Sequence, residues 1–445
     1  MFNSYNKVSI GREIMFWNEE IETLDRKALE KLQLEKLKKM LESAARTPYY
    51  KKVFSDNKID INKITSLEHL KNLPFTKKTD LRDSYPDGMV AVPKKDIVRM
   101  HASSGTTGKS TVIFYTQKDI QDWSDLIARS LTATGITQDD VFQNMMGYGL
   151  FTGGLGMHFG AERLGCMVIP TSTGNTLKQI QMMEDFKTTS MHITPSYALH
   201  LADAIKGQGI DPANLSVRKA FLGAEPYSVA VKHKVEELWD LDAYNSFGMS
   251  EMNGPGVAFE CEAKDGMHIW EDYYIAEIID PDTLENLPDG EEGELVLTHM
   301  NREAMPLIRY RTRDLTRIIS GVCSCGRTHR RMDRIKGRTD DMLIVGGVNV
   351  FPSQIETVLM NVPDVGNNYQ IILDREKNLD RLSVKVELGS NYLLDNEAEL
   401  KRLQSKISTE LIALITVTPK IELVAPGSLP ASMGKAIRVI DNRKI

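Results

Sequence analysis

The sequence predicts an α/β protein with a large N-terminal α/β domain, residues 1–337, and a smaller C-terminal α+β domain, residues 338–445. Two observations indicate this fold class. From about Asp96 onward, short β-rich runs alternate with helical stretches, which is typical of a largely parallel sheet covered by helices. After about Gly337 this pattern changes, and the remaining stretch of about 105 residues is long enough for a separate small domain.

Periodicity predicts the individual elements. Apolar residues spaced three and four apart predict helices at 25–46, 117–134, 176–187, 228–239 and 396–414. Short runs rich in apolar and β-branched residues predict strands at 112–115, 167–169, 191–193, 342–345 and 382–386. In the last predicted helix, Leu403, Ile407 and Leu411 lie on one face, so we expect it to be amphipathic.

Composition and charge exclude several classes of protein. The 445 residues are 41% hydrophobic and 26% charged, as in ordinary globular proteins. The net charge of −6 offers no general electrostatic surface for nucleic acid or an acidic membrane. No apolar run is long enough for a signal peptide or a membrane span. We therefore expect a cytoplasmic protein without nucleic-acid or membrane partners, and a homodimer is left open.

A Gly-, Ser- and Thr-rich segment ending in lysine predicts a phosphate-binding loop. Glycines allow the backbone to approach an anion, hydroxyls donate hydrogen bonds, and the lysine supplies a cation. The candidate ligands are Ser103, Ser104, Gly105, Thr106, Thr107, Gly108 and Lys109. A Walker A loop is disfavoured, because position 103 is not glycine and a β-type run follows Ser110. A simple polar turn remains the alternative, although it does not account for the lysine.

This loop resembles that of the acyl-adenylate-forming superfamily, which includes acyl-CoA synthetases, luciferases and adenylation domains. Further motifs follow in the family's order: GAEP at 223–226, YNSFGMSE at 244–251, YRTRD at 310–314, GRTDD at 337–341, and Gly434 with Lys435. Within the superfamily the chain is most similar to the phenylacetate–CoA ligases, through YGLFTGG at 148–154, GPGVA at 254–258, DGMHIWED at 265–272 and VNVFP at 348–352. One departure is Gly-Lys-Ser in the loop, where many members have Gly-x-Pro-Lys.

The resemblance implies an adenylation domain followed by a mobile C-terminal lid, and a reaction in two halves. A carboxylic acid attacks ATP to give an acyl-adenylate and pyrophosphate, and coenzyme A then displaces AMP to give a thioester. ATP, magnesium and coenzyme A are thereby implied, and phenylacetate is the expected acid. An enzyme of the same mechanism that uses another acid, or passes the acyl group to a carrier protein, would share every motif.

The resemblance also implies catalytic roles for Lys435, Glu251 and Lys109. Glu251 would bind magnesium, a hard cation that prefers carboxylate oxygen, although an exposed glutamate at a helix start is the alternative. Asp340 would be the hinge. In the absence of the resemblance, Lys435 is a solvated lysine beside a surface turn.

Nucleotide contacts are implied for the remaining motif residues. Asp314 would accept both ribose hydroxyls, with a surface ion pair to Arg311 or Arg313 as the alternative, and Arg338 would lie near the ribose and phosphate. The other predicted contacts are Gly223, Ala224, Glu225, Pro226, Tyr244, Asn245, Ser246, Phe247, Gly248, Met249 and Ser250. Of these, Tyr244, Asn245 and Phe247 are expected to lie against the purine, with ordinary core packing of the aromatic side chains as the alternative.

The acyl pocket is predicted at Tyr148, Phe151 and Gly154, on a Gly-rich apolar loop where an aryl ring could meet Phe151 edge-on. Packing of these aromatic side chains in the core is the alternative.

Three cysteines and a histidine predict a structural zinc site. Cys261, His268, Cys323 and Cys325 would complete a tetrahedral Cys₃His set with no open position. His329 could replace His268, and unconnected reduced thiols are the alternative to any metal. A zinc scaffold for nucleic acid would require a basic face, which an acidic chain does not offer.

Overall fold

The computed structural model describes residues 15–103, 110–376, 379–391, 396–430 and 437–443. Its helices are α1 (Glu19–Glu22), α2 (Arg26–Ala44), α3 (Pro48–Asp56), α4 (Lys78–Asp83), α5 (Gln117–Ala133), α6 (Thr152–Leu164), α7 (Thr176–Phe186), α8 (Pro195–Gly207), α9 (Val229–Trp239), α10 (Pro352–Asn361) and α11 (Glu397–Ile415). None of the helices in these ranges is both long and apolar enough to cross a membrane.

The first strands are β1 (Ile97–Ser103), β2 (Thr111–Thr116), β3 (Val141–Asn144), β4 (Met167–Ile169), β5 (Ser190–Ile193), β6 (Lys219–Leu222), β7 (Asp242–Met249), β8 (Gly254–Glu260), β9 (Met267–Ile269), β10 (Tyr274–Ile279), β11 (Gly293–His299) and β12 (Leu307–Thr316). They are followed by β13 (Ile318–Ile319), β14 (Arg331–Met332), β15 (Gly337–Arg338), β16 (Leu343–Val345), β17 (Val348–Val350), β18 (Val365–Glu376), β19 (Leu379–Leu388), β20 (Lys420–Val424) and β21 (Val439–Asp441).

The five predicted helices are confirmed to within two residues at each end. They begin where predicted because a polar side chain precedes each one and accepts a hydrogen bond from a backbone N–H of the first turn. These capping residues are Asp25, Thr116, Asn175, Ser228 and Asn396.

A nine-stranded sheet with the order β13-β14-β9-β8-β7-β6-β5-β3-β4 forms the centre of the large part of the molecule. Strands β3 to β7 are parallel, whereas β7, β8, β9, β14 and β13 pair antiparallel. The predicted largely parallel sheet is therefore correct for one half only. The reason is that helices connect the strands from β3 to β7, whereas short turns connect β7 to β8 and β8 to β9 and so make these neighbours antiparallel. Strand β14 joins β9 only after the chain has formed β10, β11 and β12.

The order β4-β3-β5-β6-β7 creates a switch point beside β3, where the chain changes its direction of progress across the sheet. In open α/β sheets, ligands bind outside the carboxyl ends of the strands at such a point. The predicted site motifs lie at this edge, because residues 145–151 follow β3, residues 223–226 follow β6, and residue 251 follows β7.

Helix α6 is not among the predicted elements, because its glycines at 153, 154, 156 and 160 disfavour a helix. In the structure they allow close packing instead. A Cβ atom on Gly156 would lie 2.2 Å from Cζ2 of Trp123, and one on Gly160 would lie 2.1 Å from Cγ2 of Ile127. The expectation that Gly154 lies on a loop is therefore wrong, because tight contact with α5 stabilises the helix that contains it.

We call residues before 338 the large part and residues 338–445 the C-terminal part. The C-terminal part has a hydrophobic cluster of its own. Its buried residues run from Leu343 to Ile421, and most of them belong to the hairpin β16-β17, α10, α11 and the sheet β20-β19-β18-β21. Strand β15 still pairs with β12 of the large part, through Asp314 and Arg338. Met360 of α10 packs against both this cluster and a cluster of the large part. A seam between the two parts therefore lies along α10.

Candidate active site

At the carboxyl edge of the parallel strands, a hydrogen bond joins the segment after β5 to the segment after β6. The backbone N–H of Ser196, in the first turn of α8, donates to Oε1 of Glu225 at 2.8 Å. Ala224 has a positive φ of 69°, a strained conformation for a residue with a Cβ atom. Such strain, in a segment that follows a parallel strand, is typical of a ligand-binding turn.

The predicted phosphate loop connects two antiparallel strands. β1 and β2 pair from Ile97 with Thr116 to Ser103 with Thr111. Ser104, Gly105, Thr106, Thr107, Gly108 and Lys109 lie outside the described residues. A Walker A loop precedes a helix, whereas a strand follows this segment, so the expectation that it is not a Walker A loop is confirmed.

Glu251 lies in a 3-10 turn directly after β7 and is 4% exposed. Its Oε1 accepts a hydrogen bond from the Tyr310 hydroxyl at 3.2 Å and lies 3.4 Å from Nζ of Lys78. Arg302 donates to the Glu251 backbone carbonyl at 2.8 Å. Glu251 is thus a buried, oriented carboxylate and not an exposed residue at a helix start. The contact with Lys78 was not predicted, because this lysine lies more than 170 residues earlier in the chain.

Asp314 and Asp340 share one guanidinium group. Arg338 donates from Nη1 to Asp314 at 3.1 Å, and from Nε and Nη2 to the two oxygens of Asp340 at 2.9 and 3.1 Å. Burial raises the pKa of Asp314 to about 6, although Arg338 opposes that shift. The predicted alternative, a surface pair of Asp314 with Arg311 or Arg313, is wrong. Asp314 is buried, and both arginines lie beside Glu294, at 2.6 and 3.7 Å.

The Tyr244 ring is 1% exposed and stacks on Phe221, with 6.0 Å between ring centroids. This contradicts the expectation that the ring contacts a purine, because β7 directs it into the core. Phe247 is also buried, at 9% exposure. Asn245 donates to Glu260 from its backbone N–H at 2.8 Å. The Tyr244 ring is therefore enclosed by core residues in this arrangement and is not open to a nucleotide.

A buried polar network below Asn245 was missed by sequence reasoning. The Asn245 amide donates to Glu260 at 2.5 Å and accepts from the Tyr227 hydroxyl. Lys232 pairs with Glu260 at 2.6 Å, which compensates the buried charge. These partners come from separate elements, so no local sequence signal identifies them.

The other residues of these motifs are positioned by short contacts. Ser246 donates to the Leu222 carbonyl at 3.3 Å, and Ser250 lies 3.1 Å from the Thr152 hydroxyl. A Cβ atom on Gly248 would lie 2.0 Å from the Gly254 carbonyl oxygen. The remaining predicted contacts, Gly223, Pro226 and Met249, lie in the same two segments.

The predicted acyl-pocket residues lie where β3 passes into α6. The Tyr148 hydroxyl accepts from the Asn144 amide at 2.9 Å, and it lies 3.2 Å from Nδ1 of His158. The Asn144 amide also donates to the Gly154 carbonyl at 2.7 Å. Phe151, which precedes α6, is 43% exposed, so its ring is open to a ligand and does not pack in the core.

A cleft of about 960 Å³ separates the large part from the C-terminal part. Glu225, Pro226 and Tyr227 line it from the large part, and Phe351 and Tyr369 line it from the other side. The segment predicted to bind adenine therefore lies on the wall of a cavity large enough for a small-molecule ligand.

The four predicted zinc ligands form one buried cluster. Their ligand atoms all lie within 4.8 Å of one another, with 3.6 Å between the sulfurs of Cys261 and Cys323 and 3.3 Å between Sγ of Cys325 and Nε2 of His268. This proximity contradicts the alternative of unconnected thiols. Cys166 lies elsewhere in the core, and burial raises its pKa to about 12.

The choice between the two histidines is settled by their other hydrogen bonds. His268 donates from Nδ1 to the His329 carbonyl at 3.0 Å, which leaves its Nε2 directed at the sulfurs. His329 accepts from the Glu271 N–H at Nδ1 and donates to the Ile21 carbonyl from Nε2. Both nitrogens of His329 are therefore occupied, and His268 is the fourth member of the cluster.

Known proteins resemble this chain in both its N-terminal and its C-terminal part. A sequence model of the AMP-binding enzyme family matches residues 22–301, and one of the AMP-binding enzyme C-terminal domain matches residues 347–443. Phenylacetate-coenzyme A ligase of Thermus thermophilus is 45% identical over 445 residues, covering 97% of this chain and 100% of that protein. The chain belongs to the phenylacetate–CoA ligase family. A member from Pseudomonas putida is 47% identical over 425 residues, covering 95% of this chain and 96% of its own.

Solved structures show that this member of the family has the fold of the adenylate-forming enzymes. It superposes with a TM-score of 0.92 on 2-hydroxyisobutyryl-CoA ligase in the postadenylation state, at 29% identity, covering 99% of this chain and 95% of the other. Against 2-hydroxyisobutyryl-CoA ligase in the thioesterification state, with CoA present, the TM-score is 0.71 at 30% identity, covering 96% and 93%. The predicted family and adenylate-forming α/β fold are thus confirmed.

Proposed function

We propose that the protein is an AMP-forming arylacetate–CoA ligase with phenylacetate as its acid. ATP and the acid give an acyl-adenylate and pyrophosphate, and coenzyme A then takes the acyl group and releases AMP. The observation that carries this proposal is 45–47% identity, over almost the whole chain, to phenylacetate-coenzyme A ligases.

ATP–pyrophosphate exchange across arylacetic, benzoic, indolic and fatty acids tests the choice of acid. Exchange that is faster with any other class than with phenylacetate would contradict it. Release of AMP that depends on coenzyme A tests the acceptor, because transfer to a carrier protein would leave AMP release independent of coenzyme A.

The proposed nucleotide site uses the cleft wall and the buried carboxylates. Residues 103–109 would bind the phosphates, Asp314 the ribose, and the 223–226 segment the adenine. Glu251 suits magnesium, because its carboxylate is oriented by Tyr310 and because magnesium is commonly held by one or two carboxylates together with substrate phosphates. When bound, this ion would neutralise phosphate charge. The contribution of the protein is then mainly positioning and charge stabilisation.

Two arrangements of residues 338–445 are proposed, one for each half-reaction. The higher TM-score against a postadenylation state than against a thioesterification state supports this proposal, because the same ligase differs between those states. Rotation about Asp340 would bring Lys435 to the reacting carboxylate and phosphate only during adenylation. Lys435 lies outside the described residues.

A structural zinc ion is proposed at Cys261, His268, Cys323 and Cys325. Three sulfurs and one imidazole nitrogen, buried and within 4.8 Å of one another, form the donor set of a closed zinc site. The described cysteines are all free thiols, as expected in a reducing compartment, and on this ground we propose a cytoplasmic location.

A further inference from the structure

A buried glutamate of the C-terminal part reaches across the seam into the large part. Glu356 lies on α10 and is 7% exposed. Its Oε2 accepts a hydrogen bond from the backbone N–H of Ser228 at 2.6 Å, and its Oε1 accepts one from the Tyr369 hydroxyl at 2.9 Å. Ser228 directly follows the 223–226 segment and Tyr227, so the contact ends on the wall of the proposed nucleotide site.

The donor in this contact, the Ser228 N–H, lies at the N-terminus of a helix. Ser228 is the N-cap of the 11-residue helix α9, and its Oγ accepts from the Val231 N–H. A carboxylate is favoured there because the first N–H groups of a helix lack backbone partners and carry partial positive charge. Glu356 therefore acts as a second cap for α9, supplied by the other part of the molecule.

The surroundings of Glu356 partly compensate the removal of its charge from water, although burial still raises the pKa of this carboxyl group. Arg438, whose guanidinium lies 4.4 Å from the centroid of the Tyr369 ring, attracts the carboxylate, whereas Glu225 repels it. A buried carboxylate is unfavourable unless hydrogen bonds or charges compensate it. Here one of the two hydrogen bonds crosses the seam, so the compensation of the buried carboxylate depends on contact between the two parts.

Two other hydrogen bonds between described residues of the two parts are more exposed to water than the Glu356–Ser228 bond. Asn367 donates to the Asp203 carboxylate at 2.9 Å on the exposed surface, and Ser353 donates to the Lys336 carbonyl at 2.8 Å. Charge-assisted hydrogen bonds that exclude water are stronger than such contacts. The Glu356–Ser228 bond is consequently the best candidate for the interaction that selects this arrangement.

We propose that Glu356 is a positioning residue that selects the adenylate-forming arrangement by bonding to Ser228, while Tyr369 orients its carboxylate. The inference rests on the proposed two-arrangement ligase reaction. Loss of the bond would favour the thioester-forming arrangement, so adenylation should slow while the second half-reaction is retained.

The test compares both half-reactions in Glu356→Gln, Tyr369→Phe and the wild type. We expect Glu356→Gln to slow ATP–pyrophosphate exchange about tenfold, as for the loss of one charge-assisted hydrogen bond, and Tyr369→Phe to slow it less. Thioester formation from supplied phenylacetyl-adenylate and coenzyme A should stay within about twofold of wild type. Glu397→Gln is the matched control, because Glu397 is an exposed glutamate of α11 that pairs with Lys401 one turn away in the same helix.

Hydrogen–deuterium exchange of the Ser228 amide gives a readout that is independent of activity. It should exchange faster in Glu356→Gln than in the wild type and in Glu397→Gln. Unchanged exchange of this amide, or equal loss of both half-reactions in a folded Glu356→Gln variant, would overturn the proposal. If the wild type shows no pyrophosphate exchange with any acid, the proposed function is refuted instead. The Ser228 amide measurement does not depend on activity, so it separates this outcome from failure of the Glu356 proposal.

Discussion

Arg338 donates a hydrogen bond to Asp314 at 3.1 Å, and this bond joins β12, in the four-stranded sheet β10-β11-β12-β15, to the two-residue strand β15 that precedes the proposed hinge. The same guanidinium binds both oxygens of Asp340. The residue predicted to bind ribose and the predicted hinge are thus linked through one side chain. Binding of a nucleotide at Asp314 would therefore affect the groups that hold the hinge.

The first prediction concerns pH. Burial raises the pKa of Asp314 from its ordinary 3.8 to about 6. The charge of Arg338 opposes this increase, whereas the charges of Asp340 and Glu251 add to it. Only the carboxylate can accept two ribose hydroxyls, so KM for ATP should rise as pH falls through about 6. The folded state binds this proton more tightly than the unfolded chain, so the contribution of Asp314 to stability becomes more favourable over the same fall in pH.

Measurement of KM for ATP from about pH 5 to about pH 8 checks this prediction. In Asp314→Asn, KM should be high throughout and independent of pH across that range. A wild-type KM that stays constant down to about pH 5 would show that Asp314 does not contact the nucleotide.

The second prediction separates the half-reactions. Lys435→Ala should slow acyl-adenylate formation about 100-fold or more, because a cation that bridges two approaching anions acts mainly in the transition state. Thioester formation from supplied acyl-adenylate and coenzyme A should remain nearly intact. Lys401→Ala, which changes an exposed lysine of α11, serves as the control. Equal loss of both half-reactions in folded Lys435→Ala would argue against alternation of the two arrangements.

The third prediction concerns zinc. Protein purified without chelator should contain close to one zinc ion per chain, and Cys323→Ser should lose it together with at least about 5 °C in Tm, because structural zinc contributes folding free energy. Cys166→Ala should retain the metal, since Cys166 lies outside the cluster. Elemental analysis decides the question, and wild-type protein without zinc would remove the proposal.

The fourth prediction concerns the acid. Phe151→Ala should reduce discrimination between phenylacetate and larger arylacetates by about tenfold, because contacts in an apolar site distinguish substrates by about 1–3 kcal/mol per methylene group. Competition between the acids in pyrophosphate exchange measures this ratio. An unchanged ratio would indicate that Phe151, which is 43% exposed, does not form part of the acyl pocket.

Some features of the fold and site could be predicted from the sequence because they depend on nearby residues. Helix α5 begins where Thr116 and Asp119 cap each other through reciprocal hydrogen bonds, and that signal is local. Other signals are also confined to short segments: the motifs at 223–226 and 244–251, and the cysteine pair at 323 and 325. The family and its fold followed from these short segments and their order along the chain.

Other features were decided only by tertiary structure. His268 rather than His329 joins the cysteines because the nitrogens of His329 bond to Glu271 and Ile21. The Tyr244 ring lies in the core because β7 is covered on that side. Lys78 meets Glu251, and Glu356 caps α9 at Ser228, across 173 and 128 residues of chain respectively. Hydrogen bonds and ion pairs between distant segments depend on how the sheets and helices pack, and periodicity reports only which face of an element is buried.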